Sequence, residues 1–530
     1  MNKLLALSAA CLLATAAAQS LTLPAAAPAQ STRVTPPAGP VVGSLDGALA
    51  VWEGIPYAQP PVEGLRWRSP LALPTWTTER PALQPGAACP QSFTLAGESQ
   101  PVVRGEEDCL FLNVYAPQNA QNLPVMVWIH GGSYNTGAGS DYNPRTLARE
   151  QNVVVVTINY RLGALGFLAV PGLEEKGSVG NYGLLDQQLA LKWVRNNISA
   201  FGGNAANVTA FGESAGGMSI CQHLLMPGAR GLFDKAIIQS GPCTDPQLTA
   251  PRNVALQKGS SAAESLGCPP ADAACLRALP VKKLLQAQPK GLPATVTFPP
   301  LYGDPTLPDS PAAVFRQGIN QQAVAPVPLL MGTNADEGSI FASFASTPGR
   351  DANLLEYVGI NYAFSGLRGV WAGLTSYAPG RYSTRALAAA AQSTDAIFAC
   401  PTSDLGRVRA AQVPVYAYEF RDRTVPYTYL KPGVAVPDFG AYHSAEVASI
   451  MGASAALGDY SRFSAEQLEL AKTMRTYWAN FARTGDPNGR GLVTWPRLDS
   501  AGTKVLGFAP AQVGVVNDFR ASHQCGTVWK

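Results

Sequence analysis

Asn207-Val208-Thr209-Ala210-Phe211-Gly212-Glu213-Ser214-Ala215-Gly216-Gly217-Met218 is the stretch that decides how this chain is read. A strand-like run over 207–211 enters a turn in which glycine stands two residues either side of Ser214, and a helix-like run over 218–225 leaves it. A serine in such a strand-to-helix turn is a nucleophile elbow. The small flanking residues let strand and helix pass close beneath a strained backbone, lifting the hydroxyl clear of the sheet for attack on a carbonyl. The pattern is short and its residues are common, so the rest of the chain must supply the partners such a serine needs.

A serine becomes a good nucleophile only beside a base, and imidazole is the side chain poised near neutral pH. There are four histidines: His130, His223, His443 and His523. His223 lies on the same predicted helix as Ser214, about 14 Å along its axis and on the opposite face. His130 opens a glycine pair and suits an anion-binding loop, and His523 falls in the terminal segment beside Cys525. Elimination leaves His443, whose protonation should give an acid limb near pH 6 to 7 as an order of magnitude.

An orienting carboxylate is expected between serine and histidine in chain order. The strand-like run 327–331 leads into Gly332-Thr333-Asn334-Ala335-Asp336-Glu337-Gly338, and the carboxyl end of a strand is where open α/β sheets keep their functional groups. By chemistry alone Asp336 and Glu337 are equal candidates. Backbone donors for a developing oxyanion are expected from the residue after the nucleophile and from a glycine-rich loop after an early strand. Pro124-Val125-Met126-Val127-Trp128-Ile129-His130-Gly131-Gly132-Ser133-Tyr134 supplies such a strand and loop, so the donor set is the amides of Gly132, Ser133 and Ala215.

Strand-like runs at 125–129, 153–158, 207–211, 236–240, 327–331 and 415–420 alternate with helical stretches, the pattern of an α/β fold. Val153-Val154-Val155-Val156 is apolar without alternation, as in parallel strands buried on both faces. One large doubly wound sheet is expected, with residues 41–57 adding antiparallel strands at an edge. No repeat period and no long polar inner linker divides the 530 residues, and segments 245–325 and 340–410, rich in Pro, Ala and Gly, read as insertions.

These residues resemble the type B carboxylesterases, the family that includes the cholinesterases. The likeness runs almost from end to end. It includes Gly54-Ile55-Pro56-Tyr57-Ala58, Gly64-Leu65-Arg66-Trp67, Glu107-Asp108-Cys109-Leu110-Phe111-Leu112-Asn113-Val114, His130-Gly131-Gly132, Asn159-Tyr160-Arg161-Leu162-Gly163 and Gly166-Phe167-Leu168. Gly180-Asn181-Tyr182-Gly183-Leu184-Leu185-Asp186-Gln187, Gly212 to Gly217, Gly231-Leu232-Phe233, Ala236-Ile237-Ile238-Gln239-Ser240-Gly241 and Asp336-Glu337-Gly338 continue it. The resemblance implies an α/β-hydrolase fold with Ser214 as nucleophile, Glu337 as the acid and His443 as the base. It also implies that Arg66 with Glu107, and Arg161 with Asp186, are buried structural ion pairs. The chain departs from the family at Ser133, usually glycine or alanine, and at Ser444, often glycine.

The amino terminus reads as a secretory signal over residues 1–18. A positive start is followed by an apolar core over 4–13 and Ala16-Ala17-Ala18 as the cleavage site, with Ala27-Pro28-Ala29 as an alternative. Residues 19–39, heavy in Ala, Pro and Ser, are expected to be a flexible leader, and residues 40–530 a single domain. Removing Cys11 with the signal leaves eight cysteines, an even number suited to an oxidising, secreted setting. Three pairs follow the family pattern: Cys89 with Cys109, Cys268 with Cys275, and Cys400 with Cys525. Cys221 and Cys243 remain as a fourth.

No zinc spacing, calcium loop or phosphate-cradling loop is visible, so neither metal nor cofactor is expected. A formal charge of +3 from scattered Lys and Arg gives no sign of nucleic acid, and no other segment is apolar enough for stable membrane insertion. Asn197-Ile198-Ser199 and Asn207-Val208-Thr209 fit the glycosylation pattern. Two functions follow from the resemblance: a hydrolase for small-molecule carboxylic esters, or a binding protein like the adhesion members of the fold that have lost the triad. Every catalytic position here is filled, which favours the enzyme. Cholinesterases hold a quaternary ammonium on a tryptophan in the loop of their first disulfide. The corresponding loop, 89–109, has Phe93 but no Trp or Tyr, so no choline specialisation is expected.

Overall fold

The computed structural model describes residues 32–529 except 94–101, 246–247, 287–295, 345–350, 429–438 and 456. The expected signal segment, both cleavage sites and leader residues 19–31 lie outside the described residues. The remainder of the expected leader is not a free tail. Thr32–Val34 pairs antiparallel with Val41–Asp46, and the Trp52 indole N–H donates to the Thr32 carbonyl at 3.1 Å. The folded unit therefore starts before residue 40, because these residues satisfy the outer edge of the sheet.

The central sheet is the α/β-hydrolase arrangement. Its order is Thr32–Val34, Val41–Asp46, Leu49–Pro56, Phe111–Pro117, Val154–Ile158, Leu123–Ile129, Gly203–Glu213, Lys235–Gln239, Leu329–Asn334, Val415–Phe420, Val505–Ala509 and Gln512–Val516. From Val154–Ile158 to Val505–Ala509 neighbouring strands run parallel; antiparallel strands close both edges. The expected strands at residues 41–57 form one of these edges, whereas the hairpin-like pair at 505–516 had no clear sequence signal.

Parallel strands need helical crossovers on both faces, so successive residues are buried on opposite sides. Val125, Val127 and Ile129 enter one apolar core and Met126 and Trp128 the other. Val154 and Val156 divide from Val155 in the same way, and all are fully buried. This division explains the unbroken valine run.

Four disulfides cross-link the chain: Cys89 to Cys109, Cys221 to Cys243, Cys268 to Cys275 and Cys400 to Cys525. Arg66 forks onto Glu107 at 2.6 and 2.5 Å, and Arg161 onto Asp186 at 2.8 and 2.7 Å. Both arginines also donate to backbone carbonyls, so these buried charges are paired and hydrogen-bonded, as burial requires. The two glycosylation patterns are engaged in packing: Asn197 holds Ala38 N–H and Trp193 C=O, and Asn207 holds Lys235 and Arg483.

Candidate active site

Ser214 stands between the central strand Gly203–Glu213 and the helix Ala215–Leu225, with φ 54° and ψ −122°. A residue with a Cβ holds this strained conformation only where its surroundings over-determine it. Here Ser214 N–H donates to Gln239 C=O on the next strand, and Met218 N–H donates to Ser214 C=O, both at 2.9 Å. A Cβ at Gly216 would lie 1.9 Å from the Ile129 carbonyl oxygen, so only glycine lets the helix pass this close to the neighbouring strand. Within a buried run, Ser214 alone among residues 211–226 is partly exposed.

The loop after Leu123–Ile129 passes directly against Ser214: a Cβ at Gly131 would sit 3.1 Å from Ser214 Cβ. Gly132 C=O accepts from the amides of Asn135 and Thr136 at 2.9 and 3.0 Å, which folds the loop back. Ser133 has φ 54°, in the left-handed region that favours glycine, and Ser444 likewise has φ 68°. The amides of Gly132, Ser133 and Ala215 donate to no described backbone or side-chain acceptor. His130 serves as a strut within this loop. It is buried, donates through Nδ1 to Gly131 C=O at 2.8 Å and stacks on Tyr160, and burial lowers its pKa to about 4. His223 is also buried and far from the serine's chemistry, held by Gln187 at 2.8 Å.

Of the two acidic candidates, Glu337 reaches the imidazole: its Oε2 lies 2.5 Å from His443 Nδ1. Its Oε1 accepts from Asn334 N–H at 2.7 Å and Thr333 Oγ1–H at 2.8 Å, so the carboxylate is fixed at both oxygens. Asp336 turns away, to Arg423 and the Ala441 amide. Phe341 and Phe398 flank the imidazole at 5.0 and 4.9 Å between ring centres, giving it an apolar wall from the second insertion.

The structure does not join Ser214 to His443 by a hydrogen bond. Nε2 instead lies 3.1 Å from Oε1 of Glu213, the residue before Ser214, though that oxygen receives no well-aligned hydrogen bond. Sequence reading missed Glu213, which was in view inside the elbow motif, and Glu446, three residues after His443. Glu446 accepts from Gln239 Nε2 at 3.0 Å and Asn334 Nδ2 at 2.7 Å, and Gln239 accepts from the Trp478 indole at 3.0 Å.

These carboxylates reshape the titration. Burial raises Glu213 to about 8; the His443 charge opposes this and Glu446 and Glu337 add to it. Burial also raises Glu446. For His443, burial disfavours the cation, but the charges of Glu213 and Glu337 and the Glu337 hydrogen bond outweigh it and raise the pKa to about 9. This is above the pH 6 to 7 expected from an ordinary imidazole, because Glu213 adds its charge to that of Glu337, with a further contribution from Glu446. Imidazole and Glu213 titrate as a pair.

A second buried histidine cluster was missed altogether. His523, set aside as terminal, has Nδ1 2.5 Å from Asp395 Oδ1 and Nε2 2.9 Å from Glu419 Oε1, and Tyr377 O–H donates to Asp395 at 2.5 Å. Burial opposes its charge, but the two carboxylates raise its pKa to about 10. It borders a cavity of about 870 Å³ that is also lined by Asp336, Arg423 and Gly440 but by none of Ser214, Glu337 or His443.

A strained serine at the end of the central strand, amides beside it with no acceptor among the described residues and a carboxylate-bound imidazole on the same rim fit the α/β-hydrolase class, and the family that the chain matches makes the protein a carboxylic ester hydrolase. The chain belongs to the carboxylesterase family, matching it over residues 30–527. It is 35% identical over 497 residues to para-nitrobenzyl esterase of Bacillus subtilis (strain 168), covering 92% of this chain and 96% of that protein. It is 34% identical to cholinesterase of Mus musculus, covering 91% and 83% of the two chains. Among solved structures, a thermophilic PNB esterase superposes with a TM-score of 0.77 at 33% identity, covering 94% of this chain and 99% of that one.

Proposed function

We propose that the protein is a secreted serine esterase in which Ser214 attacks small to medium carboxylic esters, His443 moves the proton and Glu337 orients the imidazole. One observation carries the reading: the Glu337–His443 pair, 106 residues apart in sequence, closes at 2.5 Å with Nε2 turned to the strand end that bears Ser214. Catalytic hydrogen bonds are often loose without substrate and tighten in the complex, so movement of the imidazole from Glu213 to the serine hydroxyl completes the relay.

Ser214 Oγ then bonds to the carbonyl carbon as its proton passes to His443 Nε2. The carbonyl oxygen takes the electron pair and rests on the amides of Gly132, Ser133 and Ala215. Collapse expels the alcohol, which takes the proton from Nε2, and leaves an ester on Ser214. Water repeats the sequence and releases the acid. Four disulfides, and the absence among the described residues of any helix long and apolar enough to cross a membrane, are compatible with export.

Turnover of p-nitrophenyl butyrate by wild type and Ser214→Ala tests the function. Serine-dependent hydrolysis is expected, and equal rates would overturn it. Without an aromatic anchor of Trp or Tyr type in the 89–109 loop, butyrylcholine should not saturate the enzyme at micromolar concentration; saturation there would show that choline is recognised by another route.

A further inference from the structure

Asp336, the carboxylate that does not reach the imidazole, ties together the two loops that do carry the acid and the base. Its N–H donates to Ala441 C=O at 3.0 Å, and its Oδ2 accepts from Ala441 N–H at 2.9 Å, a reciprocal pair between the residue before Glu337 and a residue two before His443. Ser339 extends the seam: its N–H donates to Asp336 C=O at 3.0 Å and its Oγ–H to Phe439 C=O at 2.6 Å. Arg423, just beyond the neighbouring strand Val415–Phe420, forks onto Asp336 at 2.8 and 3.0 Å. A Cβ at Gly440 would come 2.3 Å from Asp336 Oδ2, so the histidine loop lies flat against this side chain.

We infer that Asp336 is a positioning residue for catalysis, fixing the separation and orientation of Glu337 and His443 by holding the Ala441 amide. The inference rests on the esterase reading of the site. Arg423 is two-thirds exposed, so its ion pair with Asp336 is screened by water and contributes little by itself. The hydrogen bond from the Ala441 amide carries the effect, because it joins the loop bearing Glu337 to the loop bearing His443 and acts on their placement rather than on substrate binding. Losing it should therefore lower kcat and leave KM alone. It should also lower the acid limb of kcat/KM, since an imidazole held less firmly against Glu337 loses part of the interaction that favours its cation.

The test compares wild type, Asp336→Asn, Asp336→Ala and Asp336→Leu, with thermal unfolding reporting that each is folded. The leucine variant fills the space without an acceptor, should the alanine variant fail to fold. Asparagine keeps an acceptor for the Ala441 amide and should retain most of kcat. The alanine and leucine variants should lose about tenfold in kcat, a modest misplacement by the standard that about 1 Å costs about 100-fold, with KM within about twofold and a lowered acid limb. Folded acceptor-free variants with undiminished kcat and an unmoved limb would overturn the inference, as would an asparagine variant that falls as far as they do. Either result, with wild type showing Ser214-dependent turnover, refutes the positioning role alone; absence of that turnover in wild type refutes the esterase reading instead.

Discussion

Replacing Glu213 by glutamine should move the acid limb of kcat/KM downward. The side chain keeps its size and loses the charge that, with Glu337, holds a proton on His443. With Oε1 3.1 Å from Nε2, the charge centres are about 4 Å apart, and at an effective dielectric of about 20 the pair is worth about 4 kcal/mol. At about 1.4 kcal/mol per unit this would be about 3 pH units if Glu213 were always ionised. Burial lifts Glu213 to about 8, however, so it is partly neutral over the range in which the imidazole titrates. The observable displacement is then about 1 to 2 pH units. The assay is kcat/KM for p-nitrophenyl butyrate from acid to about pH 10, corrected for spontaneous hydrolysis. Wild type should show a limb above the ordinary histidine value of 6.5, toward about 9, and Glu213→Gln a lower one. A wild-type limb at or below 6.5, unmoved by the substitution, would refute the electrostatic reasoning.

Two further outcomes follow from the packing. Gly216→Ala should prevent correct folding or cost several kcal/mol, because its methyl would lie 1.9 Å from the Ile129 carbonyl; chemical denaturation of soluble protein at wild-type stability would contradict this. His523→Gln should destabilise most near pH 6 and progressively less toward pH 10. The folded pKa of His523 is raised from 6.5 to about 10, so its stabilisation is full below the lower value and is lost as pH rises through the upper one. The stability difference should reach a few kcal/mol at its largest, and a pH-independent difference would sink the assignment.

Where local pattern and three-dimensional packing agree, the sequence was legible. The valine run became a strand buried on both faces, and glycines around Ser214 marked a helix crossing a strand at a distance no side chain tolerates. His443 emerged by eliminating three histidines, all of which prove to be buried structural groups. The choice between Asp336 and Glu337 was not legible from chemistry, because it depends on which side chain the turn aims inward. Thr333 and Asn334 take one oxygen of Glu337, while Arg423 and Ala441, far along the chain, take Asp336. His523 stayed hidden for the same reason, its carboxylate partners lying 128 and 104 residues away. The strands Val505–Ala509 and Gln512–Val516 are short and each is interrupted by glycine, which weakens the strand signal, and the leader's last residues are held by the sheet edge they complete and by contacts distant in sequence, such as Ala38 with Asn197 and Trp76.

Mass spectrometry of the enzyme quenched during turnover of a slowly deacylated p-nitrophenyl ester tests the proposed chemistry most directly. An added mass equal to the acyl group, located on Ser214 and absent from Ser214→Ala, is the expected result. Hydrolysis that continues with no acyl group on Ser214, or with the group on another residue, would contradict it.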